Sequence, residues 1–598
     1  APRRLWRMRL VAVIAAPAVF LLLLEGVLAL CVVGYPTSFF VRSERPGFLT
    51  TNAHFGWHYQ QETLSEPQPC MIPIDKPRDG IRVLVLGESA AMGTPDPSFG
   101  FARILEVMLG RCFPGRSIEV VNAAMRGINS HVITQISGQC ARLDSDVVVL
   151  YIGNNEFNGL YGPKTSLSFL GRHPALIPVF HFVKQTRTGQ LFRRLLGANP
   201  ETRQGRKAKR DLRYFDDCYT AFDDPERDWV YRNYRMNLSR ICRHAMDAGA
   251  GVVLSTVGVN LRDCPPLGSL HREDLTVPER EQWDRLYQEG IRLETAGDFE
   301  QAISCYRRAA EIDDSYAELC FRMARCYLRI GDCDVARHAF ALARDRDALQ
   351  FRADSRINEI IREVAAKGAR LVEVDKVLAE SERCPDDIPG GEFFYEHVHL
   401  RFPGDYEVAR AILPAILDCL CRRGVTPVGS LEIPTSEQCA RDLAFTRWDE
   451  VNMAAAMAKL TANPPFTGQL DHARRQAEAE REVAAIMDRV DERFVNDVIA
   501  AYGQAISARP RDWVLQYNLG TFLHQLGRPQ EAAPCFEQVV RTVPDFAAYH
   551  VLLGHALGQA GLTDQAARQF REAIKRDPRY KPAREGLVWA DARRKPGR

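Results

Sequence analysis

The chain has 598 residues, which leaves room for three or four domains. Its 78 Lys and Arg residues nearly balance its 76 Asp and Glu residues, so the formal net charge is only +2. This balance excludes the strongly basic composition that would point to a nucleic-acid partner, and we expect none.

The amino-terminal segment, residues 1–40, is predicted to be a membrane anchor. Leu10 to Gly34 is a mostly apolar stretch that follows four arginines, Arg3, Arg4, Arg7 and Arg9. About 25 residues at about 1.5 Å each would cross a hydrocarbon core of roughly 30 Å. The arginines predict a cytoplasmic amino terminus, which would place the bulk of the chain outside the cytoplasmic (inner) membrane. A cleaved signal peptide is the alternative. Residues 41–80 would form a lead-in segment.

Two apolar runs further along the chain have the composition of buried parallel strands. Val83 to Leu86 is followed by Gly87-Glu88-Ser89, and Val147 to Ile152 is followed by Gly153-Asn154-Asn155. A shorter apolar run between them ends ahead of Gly127. Ligands and chemistry lie at the carboxyl ends of the strands in open α/β sheets, so these turns are candidates for a site.

A carboxylate and a histidine suited to acid–base chemistry come later, in the sequence Glu396-His397-Val398-His399. A serine hydroxyl becomes a good nucleophile only when a base takes its proton, and His399 is the candidate base for Ser89. Glu396, three residues before His399, is placed to fix the imidazole tautomer and to stabilise its charge.

Four residues in this order carry a resemblance to the SGNH (GDSL-type) hydrolase family: Ser89 in GES, Gly127 in NAAMRG, Asn155 in GNN and His399 in EHVH. The resemblance implies a three-layer α/β/α fold with a mostly parallel sheet, built from residues 81–275 and 349–424. It implies a catalytic triad of Ser89, Glu396 and His399. It also implies an oxyanion hole made by the backbone N–H groups of Ser89 and Gly127 and the side-chain amide of Asn155.

The sequence departs from the family pattern at three positions, where Glu88, Glu156 and Glu396 stand in place of the usual Asp. These changes leave the triad geometry open, and some enzymes of this class work as a dyad instead. A catalytically inactive fold is a further alternative.

His397 and His399 also form an H-x-H pair that could bind a metal ion. A zinc site needs a third and a fourth ligand, and neither an H-E-x-x-H motif nor a cysteine pair lies nearby. We therefore predict no metal and no cofactor.

The cysteines offer one candidate disulfide. Sixteen cysteines are scattered along the chain. Cys264 and Cys384 both lie in proline-rich loops and could pair in an oxidising compartment. Free, buried cysteines are the alternative, because pairing cannot be deduced from the sequence.

Repeats with a period of 34 residues make up much of the remaining chain. The carboxyl-terminal pairs are Gly520/Gly554, Gly527/Gly561, Ala532/Ala566, Phe536/Phe570 and Pro544/Pro578; the earlier pairs are Gly297/Gly331, Ala302/Ala336 and Tyr306/Phe340. This is the tetratricopeptide (TPR) pattern of paired helices. It predicts all-α solenoid segments at 276–348, inserted into the hydrolase-like domain, and at 511–598, with a helical linker at 425–510.

Two functions fit these segments. The first is an anchored serine esterase that acts on O-acyl or O-acetyl esters of envelope polysaccharide or lipid through an acyl-Ser89 intermediate, with repeats that bind a protein partner. Acyl transfer to another hydroxyl uses the same residues. The second is a TPR scaffold with a catalytically inactive SGNH fold.

Overall fold

The computed structural model describes residues 2–31, 33–59, 66–165, 167–195, 218–427, 432–488 and 490–593. The strands are β1 (Phe40–Arg42), β2 (Phe48–Thr51), β3 (Met71–Pro73), β4 (Ile81–Gly87), β5 (Ile118–Asn122), β6 (Val147–Tyr151), β7 (Gly251–Ser255) and β8 (Arg370–Val372). The helices of the first part are α1 (Pro2–Leu30), α2 (Ser89–Met92), α3 (Phe101–Cys112), α4 (Ser130–Cys140), α5 (Ser168–Arg172), α6 (Ile177–Gln185), α7 (Arg187–Leu195) and α8 (Glu226–Asp247). Those of the middle part are α9 (Val277–Ala296), α10 (Phe299–Ile312), α11 (Ala317–Arg329), α12 (Cys333–Asp345), α13 (Ser355–Ala365), α14 (Val374–Ala379) and α15 (Phe402–Arg422). Those of the last part are α16 (Ser436–Asp442), α17 (Arg447–Thr461), α18 (His472–Met487), α19 (Glu492–Ala508), α20 (Trp513–Gln525), α21 (Pro529–Thr542), α22 (Ala547–Gln559), α23 (Thr563–Arg576) and α24 (Lys581–Arg593).

A small parallel sheet of five strands, in the order β5-β4-β6-β7-β8, forms the centre of the first half of the chain. All seven residues of β4 are buried, which requires cover on both faces of the sheet. Leu84, Leu86 and Val148 face α4 and α8. The other helix pair, α3 and α15, packs together and contacts β5 and β7. The parallel sheet that the apolar runs predict is therefore present.

Four helices, α9 to α12, are inserted between β7 and β8 and pack as two antiparallel pairs. Their ends repeat the same local chemistry: Gly297 and Gly331 end α9 and α11 with a φ of +83°, a conformation that favours glycine. Asp298 and Asp332 follow, and their carboxylates cap α10 and α12. The 34-residue period is thus a repeat of helix ends as well as of core positions.

Most of the remaining chain is helical. Helices α20 to α24 pack in sequence as a carboxyl-terminal solenoid, with an apolar core around Phe536 and Phe570. Helices α16 to α19 connect this solenoid to the sheet region. The described architecture is therefore a mostly helical TPR solenoid with a small parallel-sheet region.

The predicted membrane anchor over residues 1–40 is wrong. Within the part of the chain that the structure describes, no helix combines the length and the apolar composition that crossing a membrane requires. The carboxyl-terminal end of α1 packs against α7, where Glu25 accepts hydrogen bonds from the backbone N–H groups of Arg187 and Thr188 at 2.7 and 2.9 Å. The localisation inferred from that anchor, a single-pass protein of the cytoplasmic membrane, is therefore wrong as well.

The lead-in segment, residues 41–80, contributes to a second sheet that the sequence did not indicate. Strands β1, β2 and β3 pair antiparallel in that order. Strands of three or four residues are too short to show an alternating pattern.

The candidate disulfide between Cys264 and Cys384 does not form, because all sixteen cysteines are free. Both thiols are buried, and each lies near the carbonyl oxygen of the proline that follows it, at 3.6 and 3.9 Å. The sulfur of Cys264 also accepts a hydrogen bond from the side-chain amide of Gln469 at 3.4 Å.

Candidate functional site

The candidate site lies at the carboxyl edge of the parallel sheet. Ser89 begins α2 directly after β4, Gly127 follows β5, and Asn155 follows β6. These three strands are adjacent and parallel, so their carboxyl ends lie at one edge of the sheet. Ser89 is half-buried, whereas Gly127 is exposed and has a φ of +71°.

The turn from β4 into α2 requires a glycine at position 87. A Cβ atom at Gly87 would lie 2.3 Å from the Cβ of Ala91 and 2.4 Å from the carbonyl oxygen of Tyr151. The chain therefore turns tightly against β6 and brings Ser89 to the sheet edge.

Glu88 ties the serine turn to the asparagine turn. Its buried carboxylate accepts hydrogen bonds from the backbone N–H groups of Asn154 at 2.8 Å and Asn155 at 3.4 Å. Burial and the neighbouring carboxylate of Glu156 raise the pKa of Glu88 well above its usual value. The side-chain amide of Asn155 donates to the carbonyl oxygen of Ile128 at 3.0 Å, so Asn155 lies beside the loop that carries Gly127.

Glu156 holds the start of α4 on the same side of the site. Its carboxylate accepts from the backbone N–H of Ser130 at 2.9 Å and from the Ser130 hydroxyl at 2.7 Å. Burial raises the pKa of Glu156 to about 7, although these two hydrogen bonds favour the ionised form.

His399 and Glu396 are joined by a hydrogen bond within their own loop. Nδ1 of His399 lies 2.6 Å from Oε1 of Glu396, and the same oxygen accepts the backbone N–H of His399 at 2.8 Å. Burial and the nearby guanidinium of Arg126 lower the pKa of His399 to about 3. The imidazole is therefore neutral at pH 7, with Nδ1 as donor and Nε2 as a free acceptor that has no partner among the described residues.

Two contacts bring the histidine loop to the edge that carries Ser89. The backbone N–H of Asn260, just beyond β7, donates to the carbonyl oxygen of His397 at 2.9 Å. Asp405 in α15 accepts from the backbone N–H of Phe101 at 2.8 Å, next to Gly100, which packs closely against Gly93 at the end of α2. No hydrogen bond between Ser89 and His399 is present in the described part of the chain. The roles of Ser89, Gly127, Asn155, Glu396 and His399 stay predictions.

Glu396, His397 and His399 also form a cluster that could hold a metal ion, because one ligand atom from each lies within 4.8 Å of the others. Glu396 is thus the third ligand that the sequence pattern did not reveal. A zinc ion bound to Nδ1 of His399 would have to replace its hydrogen bond to Glu396. The absence of a metal stays a prediction.

Glu88, Glu156 and Arg126 were not assigned a role from the sequence, and His397 was considered only as a member of an H-x-H metal pair. Glu88 and Arg126 act across turns far apart in the chain, and no local pattern reveals such contacts. His397 contacts Glu396 through its Nδ1, and its ring packs against those of Phe351 and Phe466, at centroid distances of 5.9 and 5.4 Å. The signals available in the sequence were its position beside the predicted acid and its H-x-H spacing with His399.

Comparison with known proteins identifies the repeats. Two family models, both described as tetratricopeptide repeat, match residues 293–355 and residues 483–547 and 551–595. The second match begins at residue 483, inside the segment predicted as a linker. DnaJ homolog subfamily C member 3 of Mus musculus is 28% identical over 98 residues, which cover 16% of this chain and 19% of that protein. Small glutamine-rich tetratricopeptide repeat-containing protein 2 of Mycosarcoma maydis is 29% identical over 90 residues, which cover 15% of this chain and 26% of that protein.

These matches are partial. The chain spans about a fifth to a quarter of the length of the two curated relatives. Among solved structures, YrrB, a TPR protein with an unusual peptide-binding site, aligns with 52% of this chain and 95% of its own at 12% identity and a TM-score of 0.16. A MamA structure aligns with 26% of this chain and 81% of its own at 17% identity and a TM-score of 0.17. Overlaps this weak do not bear on the arrangement of the whole chain. The family models and the 34-residue period agree, and this chain contains tetratricopeptide repeats.

Proposed function

We propose that this chain is a scaffold that binds protein partners through two sets of TPR repeats arranged around the parallel-sheet region. The observation that carries the proposal is the match of TPR models at two separate places. Stacked helix pairs present extended surfaces that bind peptides and proteins. The inserted set enters between β7 and β8, so its binding surface is attached to the sheet at both ends.

Partner binding that does not depend on Ser89 tests the scaffold function. A partner identified by cross-linking would be titrated into the full chain and into Ser89→Ala by calorimetry. We expect the two dissociation constants to agree within about twofold, since Ser89 lies outside the repeats. Loss of binding in Ser89→Ala would contradict a scaffold whose repeats act alone.

A second candidate function is ester chemistry at the sheet edge, of the kind that the resemblance to SGNH hydrolases implies. The hydrogen bond between Glu396 and His399 favours it, because it leaves Nε2 of His399 as a free acceptor among the described residues. In this proposal Nε2 takes the proton of Ser89 as Oγ attacks the ester carbonyl carbon. The backbone N–H groups of Ser89 and Gly127 and the amide of Asn155 stabilise the oxyanion.

The tetrahedral intermediate then collapses to an acyl-Ser89 ester, and His399 returns its proton to the departing alcohol. Water, or another hydroxyl in a transferase, attacks the acyl-enzyme with His399 again acting as the base. The proposed substrates are O-acetyl or O-acyl groups of a polysaccharide or a lipid. A chain that lacks this activity is a TPR scaffold with an inactive sheet domain.

Labelling by a fluorophosphonate probe decides between these two possibilities. We expect the full chain to react, and Ser89→Ala and His399→Ala to lose the label. Ser304→Ala removes an exposed serine of α10 and is the matched control, which should label like the unchanged chain. A folded chain that takes no label and hydrolyses no short acyl ester would rule out the esterase and leave the scaffold function.

A further inference from the structure

A polar cavity of about 230 Å³ lies in the inserted repeats, away from the candidate ester site. It opens between the end of α9 and the helix α11, and its wall is completed by a residue that precedes α18. The lining residues used below are Glu294, Phe299, Arg322, Arg325, Arg329 and Asp471. Three cations and two anions therefore surround the space.

The three arginines lie on one face of α11, because residues three and four apart are neighbours on a helix. Arg322 is already paired, with Glu294 at 3.1 Å and with Glu318 at 3.0 Å. Arg325 pairs with Asp471 at 2.9 Å and, less closely, with Glu294 at 3.8 Å. Arg329 is exposed and has no ion pair among the described residues. Among these three arginines, Arg329 is therefore the one that no carboxylate of the described residues pairs with.

Asp471 is presented to this cavity by an unusual backbone conformation. It precedes α18 with a φ of +57° and a ψ of +20°, and its carboxylate does not cap that helix. This left-handed conformation is uncommon for residues other than glycine, and aspartate adopts it more readily than most. The carboxylate points instead to Arg325 at 2.9 Å, and also contacts Arg474 at 3.2 Å.

The residues before Asp471 fix it in place. Leu470 packs against the apolar cluster of α11 and α12 that includes Phe321 and Phe340. The buried side chain of Gln469 donates to the carbonyl oxygen of Pro265 at 2.6 Å. Asp471 is distant in sequence from the repeats, and it places its carboxylate in their cavity. A bound acidic peptide would place one of its side chains there in the same way.

We propose that this cavity binds acidic side chains of a peptide, with Arg325 and Arg329 as the carboxylate ligands and Asp471 as the occupant of part of the site in the free chain. The proposal rests on the scaffold function above and names the chemistry of its ligand. Arginine is suited to this role because its planar guanidinium can donate two parallel hydrogen bonds to a carboxylate. The ion pair between Asp471 and Arg325 shows that the cavity accommodates a carboxylate.

Fluorescence anisotropy with the full chain and a fluorescein-labelled hexaglutamate peptide tests the site. We expect saturable binding that weakens about tenfold in Arg325→Ala and in Arg329→Ala, because each removes a charged hydrogen-bond donor. Asp471→Asn should tighten binding about fivefold, since it removes the competing carboxylate. Arg308→Ala, an exposed arginine of α10, is the matched control and should bind as the unchanged chain does.

Three outcomes would overturn the site. They are unchanged binding in both arginine variants, weaker binding in Asp471→Asn, and displacement of the peptide by inorganic phosphate at concentrations where free glutamate has no effect. Circular dichroism checks that each variant folds, and Arg325→Lys and Arg329→Lys replace any alanine variant that does not. If the chain binds an identified protein partner but not hexaglutamate, this site fails and the scaffold function stands. If it binds neither, both fail.

Discussion

At the residue scale, the carboxylate of Glu396 organises the histidine loop of the candidate ester site, because it accepts more than one hydrogen bond from that loop. Oε1 of Glu396 accepts Nδ1–H and the backbone N–H of His399, at 2.6 and 2.8 Å. The other oxygen contacts His397, whose ring is packed between two phenylalanines. Glu396 is one methylene longer than aspartate, and these contacts fix its added length. The geometry therefore accommodates a glutamate at this position.

Replacing Glu396 by glutamine separates a triad from a dyad. The amide oxygen of Glu396→Gln can still accept Nδ1–H, so the imidazole keeps its orientation but loses the negative charge that stabilises its protonated form. We expect fluorophosphonate labelling of Ser89 to slow by on the order of a hundredfold or more. Glu382→Gln, an exposed residue between β8 and α15, is the control. Labelling slowed by less than about threefold would indicate a dyad.

Glu156 gives a prediction on stability and pH. Its pKa is about 7 in the folded chain and 4.5 as a free side chain, so the folded state binds more protons between these values. Stability from this group is therefore fully present below pH 4.5 and is lost as the pH rises through 7. The loss is on the order of 3 kcal/mol, because the two pKa values differ by about 2.5 and each pKa unit corresponds to about 1.4 kcal/mol.

Thermal unfolding of Glu156→Gln at two pH values measures this effect. The glutamine keeps an acceptor for the N–H of Ser130 and is always neutral, so the variant should match the unchanged chain near pH 5. It should melt several degrees higher near pH 8, where about 3 kcal/mol is recovered. Exposed Glu585→Gln is the control. An equal difference at both pH values would contradict a raised pKa.

At the scale of the elements, the repeats are held by aromatic rings packed on glycines. A Cβ at Gly290 would lie 2.3 Å from Cε1 of Tyr306, and Gly554 in α22 is approached in the same way by Phe570, at 2.7 Å. Position 503 in α19 also carries a glycine inside a repeat helix, but nothing lies within 4 Å of its Cβ position. Replacement of glycine by alanine should therefore lower the stability of the repeat at Gly290 and raise it at Gly503.

Gly290→Ala and Gly503→Ala form a matched pair for this packing. The first forces Tyr306 to move and should destabilise its helix pair by about 2 kcal/mol, in the range of overpacked cores. The second should stabilise α19 by about 0.5–1 kcal/mol, because alanine favours a helix more than glycine does. Hydrogen exchange resolves each pair separately in this multidomain chain. We expect exchange in α9 and α10 to become faster in Gly290→Ala and to stay unchanged in Gly503→Ala. Equal effects of the two substitutions would contradict the packing of Tyr306 on Gly290.

The elements also show what the sequence could predict. The 34-residue period marked the repeat helices because each position depends only on its neighbours in the stack. The apolar run at Val147 predicted β6 for a similar reason, since a buried parallel strand is apolar throughout. The role of Glu88 and the position of Asp471 could not be predicted, because each depends on a contact between residues far apart in the chain. The anchor prediction used length, apolar composition and flanking arginines, none of which could reveal that Glu25 accepts hydrogen bonds from α7.

At the scale of the whole molecule, the carboxyl-terminal part of the chain touches the rest at defined points. Ser43 and the backbone N–H of Glu44 donate to Asp545 at 2.6 and 2.7 Å, which joins the lead-in segment to the last repeats. Arg579 stacks over Trp57 at 3.9 Å in the same region. The last repeats are therefore joined to the lead-in segment at several points.

The segment 466–471 contacts both candidate sites. Its first residue, Phe466, packs on the ring of His397 at a centroid distance of 5.4 Å, and its last, Asp471, pairs with Arg325 in the cavity of the repeats. Between them, Gln469 and Leu470 bind the loop at Pro265 and the α11–α12 cluster. Breaking the ion pair between Asp471 and Arg325 removes one of these contacts.

We therefore expect Asp471→Asn to loosen the histidine loop as well as the cavity. The loss of its ion pair with Arg325 removes one of the contacts that hold this segment, so the motion of the segment should increase. Amide hydrogen exchange in residues 393–400 should then accelerate about threefold, because the Phe466 contact with His397 becomes intermittent. Asp488→Asn, at the other end of α18, is the matched control and should leave this exchange unchanged. Acceleration confined to residues 466–475, with none at 393–400, would show that the two sites are independent of each other.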